Sequence, residues 1–227
     1  MTPEIGWAGS CEQGVQLHDS VSPSIVRLET STGTNVFASP QLGSGVAISD
    51  RLILTADHVV AGAKTVWVLA AAEKRQARVV RRDPEADLAL IELPRPNALR
   101  PLPLSRNQLV RTGQCVAALG NVMHAGIGIF CGMVSMVGWP GQGEPGHILT
   151  DIVAPPGLSG GALVDCATGS LLGVVTFGLV DLSSPRDTAG IIGAAPVSLL
   201  SEISGQTIGA GVRDQTLMWK GDIPGEP

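Results

Sequence analysis

The sequence predicts an all-β protein built of two small barrels, on three observations. Short apolar runs recur along the chain, each bounded by turn residues. Glycine and proline, 29 and 16 of 227 residues, interrupt it too often for a helical bundle. A proline-rich stretch then divides the apolar runs into two successive sets of about six. With 44% hydrophobic and 15% charged residues, the chain can bury a large core and carries no compositional mark of disorder.

Taken in order, residues 1–20 form an N-terminal segment, polar and glycine-containing, in which VQLHDS at 15–20 reads as a short helix ending before VSPS. The first barrel is expected over 21–100, with strands in SIVRLET, GSGVAIS, LILTADHVV, TVWVLA, ARVVRRD and DLALIEL. In the first of these Val26 and Leu28 alternate with Arg27 and Glu29, the period of two that marks a half-buried strand. LPRPNALRPLPL at 93–104 is the linker, because proline has no N–H to give a sheet ladder. The second barrel is expected over 101–206, with strands in CVAALG, IFCGMVSMVG, HILTDIV, GALVD, LLGVVTFGL and GIIGAAPV, and with VSLLSEIS at 197–204 as a closing helix. Residues 207–227 read as a loose tail. Phe130, Cys131, Met133 and Met136 are expected in the core.

Composition excludes several function classes. A net charge of −5 without a basic run, with 3 Phe, 4 Trp and no Tyr, offers little to phosphates or bases, so no nucleic-acid partner is expected. No apolar run approaches the ~20 residues of a membrane span, and the N-terminus lacks a basic region followed by an apolar one. A soluble protein is expected, cytoplasmic if the chain is full length and extracytoplasmic if a targeting segment has been removed. Cys11, Cys115, Cys131 and Cys166 show no CxxC spacing, and His18, His124 and His147 no paired ligand spacing, so neither a metal nor a cofactor is expected.

Three polar residues stand beside apolar runs where a plain surface loop would not need them. His58 follows the strand in ILTADHVV, Asp87 opens DLALIEL, and Ser159 sits in APPGLSGGALVD between a Pro-Gly-Leu approach and two glycines. A serine hydroxyl is a poor nucleophile at neutral pH; it needs a base to take its proton and a carboxylate to hold that base in the right tautomer. His58 and Asp87 supply those roles. The backbone N–H groups of Gly157 and Ser159 can converge on the oxyanion of a tetrahedral intermediate, a turn that a side chain at position 157 would hinder. Asp50, Asp83 and Glu85 read as solvated turn residues, and Asp151 as a carboxylate bonded to loop amides.

These segments resemble the trypsin-like serine proteases, and within them the HtrA/Deg branch. GSGVAIS, LTADHVV, DLALIEL, GQCVAALGN, GMVSMVG, ILTDIVAPPGLSGGALVD, LLGVVTF and IGAAPVS all resemble that branch's segments, in its order, over roughly residues 15–204. The resemblance implies a double barrel with the active site between the barrels, and a serine endopeptidase acting on protein or peptide substrates through an acyl-enzyme. It also implies a primary pocket walled by Val153, Leu158, Phe177 and Ile191. These residues carry no charge for Lys or Arg, so cleavage after aliphatic residues is expected.

Two departures matter. Leu158 stands where the family commonly has Asn or Asp, which keeps open a protease-fold protein that binds peptides without cleaving them. With only a short stretch after residue 206, no PDZ domain is expected within these residues, whereas the branch usually carries one or two. A metal-binding domain on the same fold, using His124 or His147, is the third and least supported alternative. By the same resemblance Cys115 and Cys166 fall near two positions bridged in many secreted relatives, Cys166 being one residue displaced, so a bridge and free thiols both stay open. Assembly of identical copies stays open as well.

Overall fold

A computed structural model describes residues 10–33, 40–70, 73–96, 99–105, 109–123, 125–139, 146–153, 155–179 and 191–199. After helix α1 (Ser10–Val21) and a 3-10 turn at Ser22–Ser24, strands β1 (Ile25–Ser31), β2 (Gln41–Ala47) and β3 (Leu52–Ala56) follow. A single helical turn, α2 (Asp57–Val60), then leads to β4 (Thr65–Ala70), β5 (Glu73–Asp83) and β6 (Leu88–Glu92). The second half holds β7 (Cys115–Val122), β8 (Gly126–Trp139), β9 (His147–Val153), β10 (Ala162–Asp165), β11 (Leu171–Leu179) and β12 (Ile191–Pro196). Each half closes into an antiparallel barrel, in the order β1-β2-β3-β6-β5-β4 and β10-β11-β12-β9-β8-β7. Closure removes the exposed strand edges that an open sheet would leave. His124, residues 200–204 of the expected closing helix and the tail at 207–227 lie outside the described residues.

Alternation drives the strands. In β1, Val26 and Leu28 are fully buried while Arg27 and Glu29 are only partly so. The interior of the first barrel gathers Val26, Leu28, Ile53, Val66, Val68 and Ile91; that of the second gathers Val116, Val134, Ile148, Leu163, Leu172 and Ile192. A third cluster joins Val46, Leu54, Leu88 and Leu90 of the first barrel to Leu119, Ala162, Val164 and Val174 of the second, so the two share a continuous apolar seam. Each Val, Leu or Ile among them contributes about 1.5–3 kcal/mol on leaving water. The linker runs along this seam. Leu102 is buried and its N–H donates to Ala47 O, while the Leu171 N–H donates to Pro103 O.

The helix read at residues 15–20 is part of α1, which packs on the second barrel. Leu17 and Val21 lie against Gly169, and the His18 ring is 3.2 Å from the Ile127 carbonyl oxygen. LILTADHVV is strand only through Ala56, and its remainder folds into α2. The expectation for β8 needs correction: Cys131 is exposed, and Met133 and Met136 are each 47% exposed. Phe130 and Val134 turn inward on one parity of the strand, which puts residues 131 and 133 outside. Register shifts at Val134/Met136 and Val137/Trp139 break the alternation beyond Val134, where Met136 and Val137 are both exposed.

Cys115, at the start of β7, and Cys166, just after β10, form a disulfide with Cα atoms 5.5 Å apart. The Cys166 N–H also donates to Cys115 O. The bridge closes a loop of 51 residues around most of the second barrel, and loops of that size are stabilised by about 2–4 kcal/mol. Dithiothreitol should therefore lower the thermal midpoint of the native protein by several degrees. The Cys115→Ser/Cys166→Ser variant should melt low with or without reductant.

Candidate active site

α2 follows directly from β3, so His58 emerges at the end of the first barrel. The turn between β5 and β6 brings Asp87 beneath it. Asp87 adopts φ +51°, a left-handed backbone that aspartate tolerates better than most residues. Three bonds hold it there. The Asp57 N–H donates to Asp87 O at 3.1 Å, the His58 backbone N–H to Asp87 Oδ1 at 2.8 Å, and the His58 ring Nδ1 meets Asp87 Oδ2 at 2.7 Å. A carboxylate only accepts, so Nδ1 carries the proton and Nε2 is left with its lone pair. The bond to Asp87 holds the His58 imidazolium above its ordinary pKa against the opposing pull of burial, with the charges of Asp87 and Asp57 adding to the rise.

Ser159 comes from the loop between β9 and β10. Gly157 has φ +101° and Gly160 φ +84°, backbone states that side-chain-bearing residues rarely adopt. A Cβ on Gly160 would collide with Ser44 O and Thr55 Oγ1 of the first barrel. The buried Ser44 links the barrels through the same loop. Its N–H donates to Ser159 O at 2.8 Å, its hydroxyl donates to Gly157 O at 2.7 Å, and that hydroxyl oxygen accepts the Asn121 N–H at 2.7 Å. Gly43 is bare for a related reason: a Cβ there would lie 2.6 Å from Val59 and 3.2 Å from Ser159 O. The Ser159 backbone thus crosses Gly43 beside the residue that follows His58.

The four expected pocket residues separate. Val153 and Ile191 face each other across β9 and β12, with Val153 52% exposed. Phe177, on β11, packs over Gly193. Leu158 instead turns inward, 2% exposed, into the core of the second barrel. A cavity of about 400 Å³ opens beside the imidazole, lined by His58, Pro84, Glu85, Asp87, His147, Thr176 and Phe177. Asp151, the acidic residue nearest the expected pocket in sequence, is engaged elsewhere: its Oδ1 accepts the Met133 N–H at 2.6 Å. Asp83 accepts the Glu85 and Ala86 N–H groups and shapes the turn that carries Asp87, so it is a turn former rather than a merely solvated charge.

Sequence reasoning passed over three features of this site. Asp57 is 5% exposed and takes a two-pronged ion pair from Arg82, Nε to Oδ1 at 2.6 Å and Nη2 to Oδ2 at 2.7 Å. An acidic residue directly before the histidine was the available signal. His147 is 1% exposed, edge-on to Phe177 at 5.3 Å, and its ring nitrogens meet no hydrogen-bond partner among the described residues. Burial pushes its pKa down, partly offset by the charge of Asp87. Ser44 carried no signal beyond its place between two glycines.

Residues 43–174 match the family described as trypsin-like peptidase domain. The chain is 33% identical over 173 residues to the periplasmic serine endoprotease DegP of Salmonella typhimurium, covering 74% of this chain and 36% of that protein. It is 31% identical over 227 residues to the serine protease PepD of Mycobacterium tuberculosis, covering 89% of this chain and 47% of that one. It therefore spans less than half the length of these relatives. Among solved structures, an HtrA-type protease AlgW with a tripeptide superposes with a TM-score of 0.70 at 32% identity, covering 86% of this chain and 63% of the other. The double barrel, the ordered segments and these likenesses agree that the chain belongs to the trypsin-like peptidase domain family, with HtrA-type serine proteases as its relatives.

Proposed function

We propose that this chain is a serine endopeptidase. Ser159 Oγ attacks the scissile carbonyl carbon as its proton passes to His58 Nε2. Asp87 fixes the tautomer and stabilises the imidazolium. The tetrahedral intermediate collapses, the leaving amine takes the proton back from His58, and an acyl-enzyme remains; water repeats the sequence and frees the acid. The observation that carries this reading is the double grip of the Asp87 carboxylate on the His58 backbone N–H and ring Nδ1, an arrangement that leaves Nε2 basic.

The backbone amides of Gly157 and Ser159 are assigned to the oxyanion. In support, the Pro156 carbonyl turns toward Met123, whose N–H lies 3.4 Å away, and a trans peptide sends the Gly157 N–H the opposite way. The inward course of Leu158 also takes its bulk away from the loop's open side, which favours cleavage over a binding-only protein. Relatives named as periplasmic and the Cys115–Cys166 bridge together support a site of action outside the cytoplasm.

Labelling by a fluorophosphonate probe tests the reading, because it needs both an activated serine and a working oxyanion site. The native protein should label and cleave casein. Ser159→Ala should do neither while keeping its thermal midpoint, and equal residual cleavage would overturn the assignment.

The pH dependence has a definite sign. His58 must be neutral to act as a base, and its folded pKa is raised above 6.5 mainly by the bond to Asp87. The acid limb of kcat/KM should therefore have its midpoint above 6.5. The same pair contributes to stability fully below 6.5, and that contribution is lost as pH rises through the folded value.

For the residue before the cut, the uncharged Val153, Phe177 and Ile191 favour Val, Ile, Leu or Ala, since a guanidinium buried among them would have no partner. Mass-spectrometric profiling of a cleaved peptide library should show aliphatic residues on the acyl side. Dominant Arg or Lys there would remove Val153 and its neighbours from the pocket.

A further inference from the structure

One hairpin holds both residues at the start of α2. From β5, the Arg82 guanidinium grips both carboxylate oxygens of Asp57. From the turn that follows, the Asp87 backbone carbonyl takes the Asp57 N–H, and the Asp87 carboxylate takes the His58 N–H and ring. The Asp57 side chain is 7% exposed and the Arg82 side chain 33%. A carboxylate this deep is costly without its partner, and an apolar residue of similar size would serve packing as well or better. The pair therefore places a buried negative charge directly before the imidazole and a cation opposite it.

Other charges around His58 are few. The β5–β6 turn supplies Asp87 and Glu85, and β9 supplies His147 across the cavity. Asp83 is bonded to the amides of its own turn, and β2 and β3 carry no charged residue. On β6, Glu92 lies at the far end and pairs with Arg51 and Arg78.

We propose that Arg82, acting through Asp57, is a positioning residue for the general base: the pair locks the first turn of α2 onto the β5–β6 hairpin and sets the charge felt by the His58 ring. The inference rests on the peptidase reading above, but the field at His58 can be measured without turnover.

The experiment follows the His58 ring by NMR pH titration in the full chain, with fluorophosphonate labelling rate against pH as a second readout. In Arg82→Met, Asp57 is left unopposed; the His58 midpoint should rise by roughly half a pH unit, and labelling at neutral pH should slow about threefold from that shift. In Asp57→Asn the midpoint should fall below that of the native protein. The double variant should label faster than Arg82→Met alone, because the stranded charge is gone.

Arg82→Lys keeps the charge without the fork, so its midpoint should stay near native while labelling slows. If Arg82→Met does not fold, Asp57→Asn and Arg82→Lys decide the question. A His58 midpoint unchanged in Asp57→Asn, with only a lower thermal midpoint, would overturn the proposal and leave the pair a structural tie. Absence of labelling in the native protein at any pH would instead sink the peptidase reading, with the ring titration still judging Arg82 and Asp57.

Discussion

Ser44 is the point on which the geometry of the site depends. It belongs to the first barrel, yet its amide and hydroxyl bond to the carbonyls of Ser159 and Gly157, and its hydroxyl oxygen takes an amide of β7. The Thr55 hydroxyl holds the Ser44 carbonyl in turn. His58 and Asp87 come from the same barrel, so the loop carrying Ser159 is registered against the barrel of His58 by hydrogen bonds as well as by the apolar seam. Apolar packing is tolerant of sliding, whereas a hydrogen bond loses most of its strength with a fraction of an ångström or a few tens of degrees. The seam brings the barrels together, and Ser44 fixes how they meet.

Glycine marks the places where that meeting leaves no room. Gly43, Gly120 and Gly160 each lie against the opposite barrel, where a Cβ would meet Ser159 O, the Ser44 hydroxyl and Ser44 O respectively, while Gly157 and Gly161 lie against the Asn121 and Leu119 carbonyls of β7. Bareness around Ser159 thus has two sources: the loop must turn through left-handed states, and the opposite barrel must approach its backbone. Leu158 fits this picture. Its side chain fills the second barrel, its carbonyl takes the Gly161 N–H at 2.8 Å, and the turn is closed by packing from within.

Much of the architecture was legible in the sequence because barrel strands declare themselves locally. Alternation in β1 and the bounded apolar runs of β4, β9 and β11 need no tertiary knowledge. His58, Asp87 and Ser159 stood out in the sequence because each stands beside such a run as a group that packing does not need, and of these the structure bonds His58 to Asp87. The outward face of β8 was not legible, since IFCGMVSMVG is apolar on both parities and gives no sign that Cys131 and Met133 face out or that two register shifts break the alternation beyond Val134. Asp57 was not legible either: its partner lies 25 residues away in sequence, and only the closure of β5 against β6 brings Arg82 to it. His147 looked like a stray histidine until β11 laid Phe177 across it.

The helix α1 comes first in sequence but rests on the barrel made last. Its Leu17 and Val21 lie against Gly169, and His18 reaches Ile127. During synthesis the first barrel can close as soon as β6 leaves the ribosome, with every one of its strands already present. The helix ahead of it has its full set of partners only when β8 and the turn after β10 have emerged. Isolated helices of this length are marginal in water, so α1 acquires its structure late, and its docking reports that the second half of the chain has arrived.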